Sequence, residues 1–166
     1  MNKFFSEPND APAGGRDKLA AIAGGEPAGE RVQKMPAGRR GARATAVQAL
    51  FEADVTGRPV KGLVDRLAAE SRMSDQHKAF AAELATEVES RRPDYDAMIN
   101  KVAREYPAGR MAVIDRNILR AALAELKRYP DTPRAIVIDE AVELARLFGS
   151  DGSRGLVHGT LGALLG

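Results

Sequence analysis

Beyond residue 38 the apolar residues of this chain recur every three or four positions, which is the spacing of one face of an α-helix. Glycine and proline interrupt this pattern at intervals, as expected at helix ends. The apolar run from Ala135 to Ile138 suggests a strand, but helical spacing continues beyond it to Phe148. The pattern therefore predicts an all-α fold of about seven helices, which start near Arg39, Val60, Ser74, Pro93, Asp115, Pro133 and Ser153.

The same spacing predicts the apolar face of each helix. Val47 and Leu50 anchor the first helix in the core, and Gly57 ends it. The fifth helix has the clearest periodicity, with a broad apolar stripe from Ile118 to Leu126. The apolar face of the fourth helix is made of Tyr95, Met98, Ile99 and Val102.

Residues 1–37 lack this periodicity and are rich in glycine, proline and alanine. They contain too few large apolar side chains to form a core, so they are predicted to be a disordered tail. Residues 38–166 are predicted to form one all-helical domain. Pro93 divides that domain into two halves, about 38–91 and 92–166, each of which is too small to be expected to fold alone.

The composition narrows the possible chemistry. The 166 residues include no cysteine and only two histidines, so disulfides, thiolate metal sites and histidine-rich metal sites are not expected. No apolar run approaches the ~20 residues of a membrane span, and the N-terminus lacks the apolar segment of a secretory signal. We therefore expect a cytoplasmic protein that needs no cofactor.

No residue pattern indicates catalysis. Asp151, Ser153 and His158 are the residue types of a hydrolase triad, but a triad depends on geometry in space, and a helix cap by Ser153 is the simpler interpretation. Asp139 and Glu143 share one helix face, where solvated carboxylates are the simpler interpretation. Neither a phosphate-binding loop nor a dinucleotide fingerprint is present, so we expect no enzyme activity and no small-molecule substrate.

Basic residues are concentrated near the start of the helical region. Residues 1–43 carry eight Lys/Arg against five Asp/Glu, although the net charge of the whole chain is only +2. The densest cluster is Arg39, Arg40 and Arg43, in the stretch RRGARATAVQALF. Arginine suits phosphate oxygens, and cations at a helix N-terminus oppose the helix dipole. From physical chemistry alone, nucleic-acid binding and a solvated basic helix start are about equally supported.

Three stretches, in order, resemble one known family. RRGARATAVQALF is similar to the first helix of the NusB family of bacterial transcription antitermination factors, IDRNILRAALAEL to the fifth helix, and PRAIVIDEAVELARLFGSDGSRGLVHGTLGAL to the last two helices and their turn. The resemblance covers about residues 38–165. It implies a small all-helical fold and binding of boxA-type single-stranded RNA in nascent ribosomal RNA. It also implies a heterodimer with NusE, a small-subunit ribosomal protein, in a complex that helps RNA polymerase resist termination.

The resemblance also implies functional residues. The residues matching RNA-contacting positions are Arg39, Arg40, Arg43, Gln48, Phe51, Ser153, Arg154 and Leu156, and those near the partner-protein surface are Asp115 and Arg116. The three arginines of the first helix are expected to face outward. Gly41 stands where some members have another arginine, which would weaken the attraction for a phosphate backbone. Leu156 stands where an aromatic residue is usual, which removes base stacking from that position.

Two other functions remain open on the sequence. The chain is alternatively a protein–protein adaptor of the transcription complex, whose RNA affinity resides mainly in its partner. A third reading is an RNA-binding domain linked to an enzyme, because some rRNA cytosine methyltransferases carry a NusB-like N-terminal domain. The lack of a glycine-rich cofactor motif argues against the methyltransferase.

Overall fold

The computed structural model of the chain describes residues 36–166. Within that range it has seven α-helices, one short 3-10 helix (Ala108–Arg110) and no strand, which confirms the predicted all-α fold. The predicted tail, residues 1–37, lies outside the described residues except at its last two positions. The helices are α1 (Gly38–Thr56), α2 (Val60–Glu70), α3 (Asp75–Ser90), α4 (Arg92–Val102), α5 (Val113–Arg128), α6 (Arg134–Phe148) and α7 (Ser153–Leu165).

Helices α1 and α5 form the centre of the fold. Helix α1 packs against α2, α3 and α5, and α5 also contacts α4, α6 and α7. The buried apolar side chains join one hydrophobic core, whose largest fully buried members include Leu50, Tyr95 and Phe148. The core includes residues from both sides of Pro93 in the sequence, because α1 and α3 pack directly on α5. The division of the domain into two halves stays a prediction.

The helix ends follow local signals in the sequence. The Ser74 hydroxyl caps α3 by accepting a hydrogen bond from the backbone N–H of His77 at 3.3 Å, as predicted. Gly57 ends α1 with φ of 74°, a left-handed conformation that favours glycine. Pro93 lies in the first turn of α4, where its missing N–H removes no helical hydrogen bond.

The apolar face of α4 is only partly covered. Tyr95 and Ile99 are buried where α4 packs on α5 and α7, whereas Met98 and Val102 are 38% and 37% exposed. Periodicity in the sequence identifies the apolar face of a helix, but the fraction of that face that is buried depends on how the neighbouring helices pack against it. Met98 and Val102 are one helical turn apart, so together they form an exposed apolar strip on α4.

Candidate nucleic-acid interface

Helix α1 begins without a capping side chain. Ala37 precedes the helix, its first turn contains no acidic residue, and no described side chain accepts from its first N–H groups. This end of the helix therefore keeps the positive partial charge of its unpaired N–H groups. Arg39 and Arg40 are exposed and add two guanidinium groups to it. An anion is favoured at such a position.

Arg40 is held by a carboxylate of α6. Its Nε donates to Oε2 of Glu140 and its Nη2 donates to Oε1, each at 2.8 Å. The hydrogen bonds from Arg40 lower the pKa of Glu140, although partial burial of the carboxyl opposes this shift. The Arg40 side chain is nevertheless 47% exposed. Arg40 is thus oriented by Glu140 and still accessible from solvent.

Arg43 belongs to the interior. It is 7% exposed, and its Nε and Nη2 donate to the two carboxylate oxygens of Glu125 at 2.8 and 2.7 Å. Glu125 itself is 2% exposed, and Nη1 of Arg43 also lies 3.5 Å from Oε2 of Glu140. The expectation that all three arginines face outward is therefore wrong for Arg43, because the packing of α1 on α5 encloses it.

Arg39 lies against two aromatic rings. Its Cζ is 4.3 Å from the centre of the Phe80 ring and 5.1 Å from the centre of the Tyr129 ring. The ring centres are 5.0 Å apart, and the ring planes are tilted by 36°. No carboxylate in the described part of the chain pairs with Arg39, which distinguishes it from Arg40 and Arg43.

Gly41 lies where the preceding chain passes very close to α1. A Cβ atom on this residue would be 2.1 Å from the carbonyl oxygen of Pro36. An arginine at this position would therefore require the segment before α1 to move. The course of the backbone accounts for glycine here, independently of any effect on the charge of the helix start.

Gln48 and Phe51 lie further along α1 and are largely covered. Gln48 is 6% exposed, and Phe51 is partly buried against the hydrophobic core. Phe51 therefore presents part of its ring to solvent, whereas Gln48 presents almost nothing. Contact of either side chain with RNA stays a prediction.

The start of α7 combines buried and exposed positions. Ser153 is 2% exposed and does not cap α7; its hydroxyl accepts from the backbone N–H of Ser150 at 2.9 Å. The predicted cap by Ser153 is therefore wrong, because the turn before the helix takes up the hydroxyl. Leu156 is half-buried and packs against the core. Arg154 is exposed, so it is the charged group that this end of α7 presents to solvent.

The two groups of predicted RNA contacts lie at opposite ends of α5. Arg43 of α1 binds Glu125 near the end of α5, whereas the Ser153 side chain lies beside Asp115 in the first turn of α5. About ten residues of helix, or roughly 15 Å, separate these two positions. One RNA strand that touches both groups must therefore extend along the length of α5.

Asp115 was expected near a partner-protein surface but lies inside the protein. It is 5% exposed, and its Oδ1 has no hydrogen-bond partner among the described residues. Burial raises the pKa of its carboxyl, which the hydrogen bond from Ser153 offsets only in part. The carboxylate faces the start of α7, and a role for Asp115 near a partner protein stays a prediction.

Arg116, the other expected partner-binding residue, is tied to α1. Its Nε donates to Oδ2 of Asp54 at 2.9 Å, and the same oxygen accepts from Arg120 at 3.0 Å. Burial tends to raise the pKa of Asp54, but the hydrogen bond and charge of Arg116, with Asn117 and Arg120, lower it overall. The Arg116 side chain is 18% exposed, so a partner contact by it stays a prediction.

Sequence patterns did not identify the four residues that contact the arginines of α1, which are Glu125, Glu140, Phe80 and Tyr129. Glu125 and Glu140 lie 82 and 100 positions from the arginines they bind. No spacing rule connects residues that are so far apart. The basic cluster at a helix start drew attention to this surface, but nothing in the sequence indicated which residues the arginines contact.

Two kinds of feature are absent from residues 36–166. No group of three or more His, Asp, Glu or Cys side chains is arranged there to hold a metal ion. None of the helices in this range is long and apolar enough to cross a membrane.

The helical region matches known proteins. The model of the NusB family matches residues 40–165. The transcription antitermination protein NusB of Desulforamulus reducens is 38% identical over 128 residues, which cover 77% of this chain and 90% of that protein. The protein of the same name from Myxococcus xanthus is 39% identical over 127 residues, which cover 74% and 91%.

Solved structures share the fold. T. maritima NusB has a TM-score of 0.72 at 26% identity, over 78% of this chain and 92% of that one. A structure of the antitermination factors NusB and NusE in complex with dsRNA has a TM-score of 0.69, over 76% of this chain and 94% of that one. The two sequences are 24% identical, so this likeness shows only that the fold is shared. The resemblance of the three sequence stretches is confirmed, and the chain belongs to the NusB family.

Proposed function

We propose that this chain is a transcription antitermination factor that binds boxA-type single-stranded RNA in nascent ribosomal RNA together with NusE. In the antitermination complex it helps RNA polymerase resist termination, in the cytoplasm and without catalysis or a cofactor. The observation that carries the RNA-binding part is the exposed pair Arg39 and Arg40 at a helix N-terminus that has no capping side chain and no acidic residue.

The chemistry of this helix end suits a phosphate backbone. Guanidinium groups donate in a planar fork to phosphate oxygens, and the unpaired N–H groups of the first turn add further donors. Arg39 is free of carboxylates among the described residues, and Arg40 is oriented by Glu140 while its Nη1 has no described acceptor. Arg43 contributes indirectly, because its buried bond to Glu125 fixes α1 on α5.

Removal of exposed arginines tests this function. We expect Arg40→Ala combined with Arg154→Ala to weaken boxA RNA binding and to reduce the salt slope by about one for each phosphate that the protein no longer binds. Arg66→Ala is the matched control, because Arg66 is 46% exposed on α2 and its removal changes the net charge equally per substitution. Filter binding across a salt series is the measurement, and an unchanged slope in the double variant contradicts the assignment.

A second candidate is an adaptor whose RNA affinity resides mainly in NusE. The exposed apolar strip of Met98 and Val102 favours it, because exposed apolar surface marks protein contacts more often than nucleic-acid contacts. The strip lies on α4, which packs on α5 and whose Asp96 binds Arg120 of α5.

Titration of boxA RNA with the protein alone, and then with an equimolar protein–NusE complex, separates the two candidates. Binding by the protein alone, at reduced affinity, is expected from an RNA contact at α1. Binding that occurs only with NusE and does not respond to Arg40→Ala supports the adaptor.

A further inference from the structure

A cleft beside α1 adjoins the proposed phosphate contacts, since Arg39 is one of the residues that line it. It lies between the first turn of α1, the N-terminal half of α3 and the residue that follows α5. Its volume is about 280 Å³, near the lower end of the range for small-ligand sites. The side chains that matter for its chemistry are Arg39, Gln76, His77, Phe80, Glu83 and Tyr129.

One wall of the cleft is a stacked platform. Phe80 is only 6% exposed, and the Arg39 guanidinium lies over its ring. The surface that a ligand can reach is therefore the guanidinium itself, together with the exposed part of Tyr129. Cation–π contact with the two rings restrains Arg39 before any ligand binds. A guanidinium held in this way is a planar surface on which a nucleobase stacks.

The acidic residue of the cleft does not neutralise Arg39. Glu83 accepts a hydrogen bond from the Tyr129 hydroxyl and another from Nε of Arg128 at 3.5 Å. Arg39 has no carboxylate partner among residues 36–166, although Glu83 lines the same cleft. The cleft therefore keeps a positive charge that no carboxylate of the described residues pairs with.

The other wall offers hydrogen-bonding groups. Gln76 is exposed and carries both a donor and an acceptor in its amide. The Nδ1 atom of His77 is 3.0 Å from the Ser74 hydroxyl, which leaves the Nε2 atom for another partner. A Cβ atom on Gly38 would lie 3.9 Å from Cε1 of His77, so the uncapped end of α1 directly borders this wall.

We propose that this cleft is a binding site for a single nucleobase of the RNA strand, stacked on the Arg39 guanidinium and bonded along its edge by Gln76 and His77. The proposal rests on the proposed function, and it adds base recognition to a surface otherwise assigned to phosphates. The adjacent phosphate lies at the first turn of α1, beside Arg40.

Arg39→Lys isolates the stacking contribution, because lysine keeps the charge but lacks the planar group. The probe is a short boxA-type RNA that carries 2-aminopurine at one position at a time, titrated with the full chain in the presence of NusE. The fluorescence of this base depends on the groups it stacks against, so the unsubstituted protein is expected to change it strongly at one position. Arg39→Lys is expected to remove that change and to weaken binding about tenfold with an unchanged salt slope.

Arg40→Lys is the matched control, since Arg40 neighbours Arg39 but does not contact the rings; it should leave the fluorescence change at that position intact. Gln76→Ala, an exposed substitution that leaves folding intact, should weaken binding several-fold because the edge of the base has fewer hydrogen-bond partners.

Normal RNA binding without any position whose fluorescence change depends on Arg39 overturns the base site and leaves the proposed function standing. Equal binding of a free nucleoside monophosphate and of the RNA also overturns it, because the site would then be a small-molecule site. Absence of RNA binding by the protein–NusE complex overturns both proposals.

Discussion

Arg39, Arg40 and Arg43 lie within one turn of α1 and meet three different surroundings. Arg39 contacts aromatic rings, Arg40 binds a partly exposed carboxylate, and Arg43 binds a buried one. Solvent screens the Arg40 pair, so its contribution to stability is small, whereas the Arg43 pair is shielded and removal of one member leaves a buried charge. One basic motif therefore contains two arginines that stay exposed and one that is buried in an ion pair.

Arg43→Ala is expected to reduce the free energy of unfolding by roughly 3–5 kcal/mol, because it leaves the Glu125 carboxylate buried without its partner. Urea unfolding followed by circular dichroism measures this change. Arg40→Ala is the matched control and should cost less than about 1 kcal/mol. The double variant Arg43→Met, Glu125→Met should be more stable than Arg43→Ala; equal destabilisation in both would contradict a buried-charge effect.

At the scale of elements, α6 controls how α1 presents its charge. Glu140 binds Arg40 through both carboxylate oxygens and also approaches Arg43. A phosphate that binds Arg40 must compete with this carboxylate. Helix α6 therefore orients the basic end of α1 and at the same time reduces its affinity for anions.

Glu140→Gln is expected to strengthen boxA RNA binding by about threefold, because the neutral amide competes less with phosphate for Arg40. Glu143→Gln is the matched control: Glu143 lies on the same helix and its removal changes the net charge equally, but its ion pair is with Arg146 and its charge acts on Arg40 less than that of Glu140 does. Fluorescence anisotropy with labelled RNA measures both variants. An equal gain in both would indicate a general charge effect, and weaker binding by Glu140→Gln would show that orientation of Arg40 matters more than competition.

At the scale of the whole molecule, polar contacts join the two predicted halves across their packed helices. Asp54 of α1 binds Arg116 and Arg120 of α5, and Arg120 also binds Asp96 of α4 at 2.7 Å. Asp115 is the exception among these acidic residues, since no cation pairs with it within the described range. The global stability of the protein should therefore respond to the protonation of Asp115.

Burial holds the pKa of Asp115 above its ordinary value of 3.8, so between that value and the raised pKa the folded state binds more protons than the unfolded state. Stability contributed by Asp115 thus falls as pH rises through this window and stays reduced at neutral pH. Asp115→Asn is expected to raise the free energy of unfolding by about 1 kcal/mol at pH 7 and to change it little at pH values below the window.

Thermal unfolding from acid to neutral pH measures this dependence. Asp54→Asn is the control of opposite sign, because hydrogen bonds from Arg116 and Asn117 outweigh burial and lower the pKa of Asp54. Asp54→Asn should therefore destabilise the protein at pH 7. A stability difference for Asp115→Asn that does not vary with pH would contradict the role of its ionisation.

The helices, several of their ends and the family could be predicted from the sequence, because these features depend on residues that are close together in the chain. Helical periodicity located the helices, and Ser74, Gly57 and Pro93 act on their own turns. The exposure of Arg39, Arg40 and Arg154 also agrees with their expected positions. The contact of these residues with RNA remains a prediction.

The tertiary structure alone decided which polar residues are enclosed and which groups they meet. Arg43, Ser153 and Asp115 are buried because α1, α7 and α5 pack together, and periodicity within a single helix contains no information about that packing. The same holds for Met98 and Val102, which stay exposed on an apolar face. The cleft beside Arg39 arises from three segments far apart in the chain, so its chemistry exists only once the helices have packed.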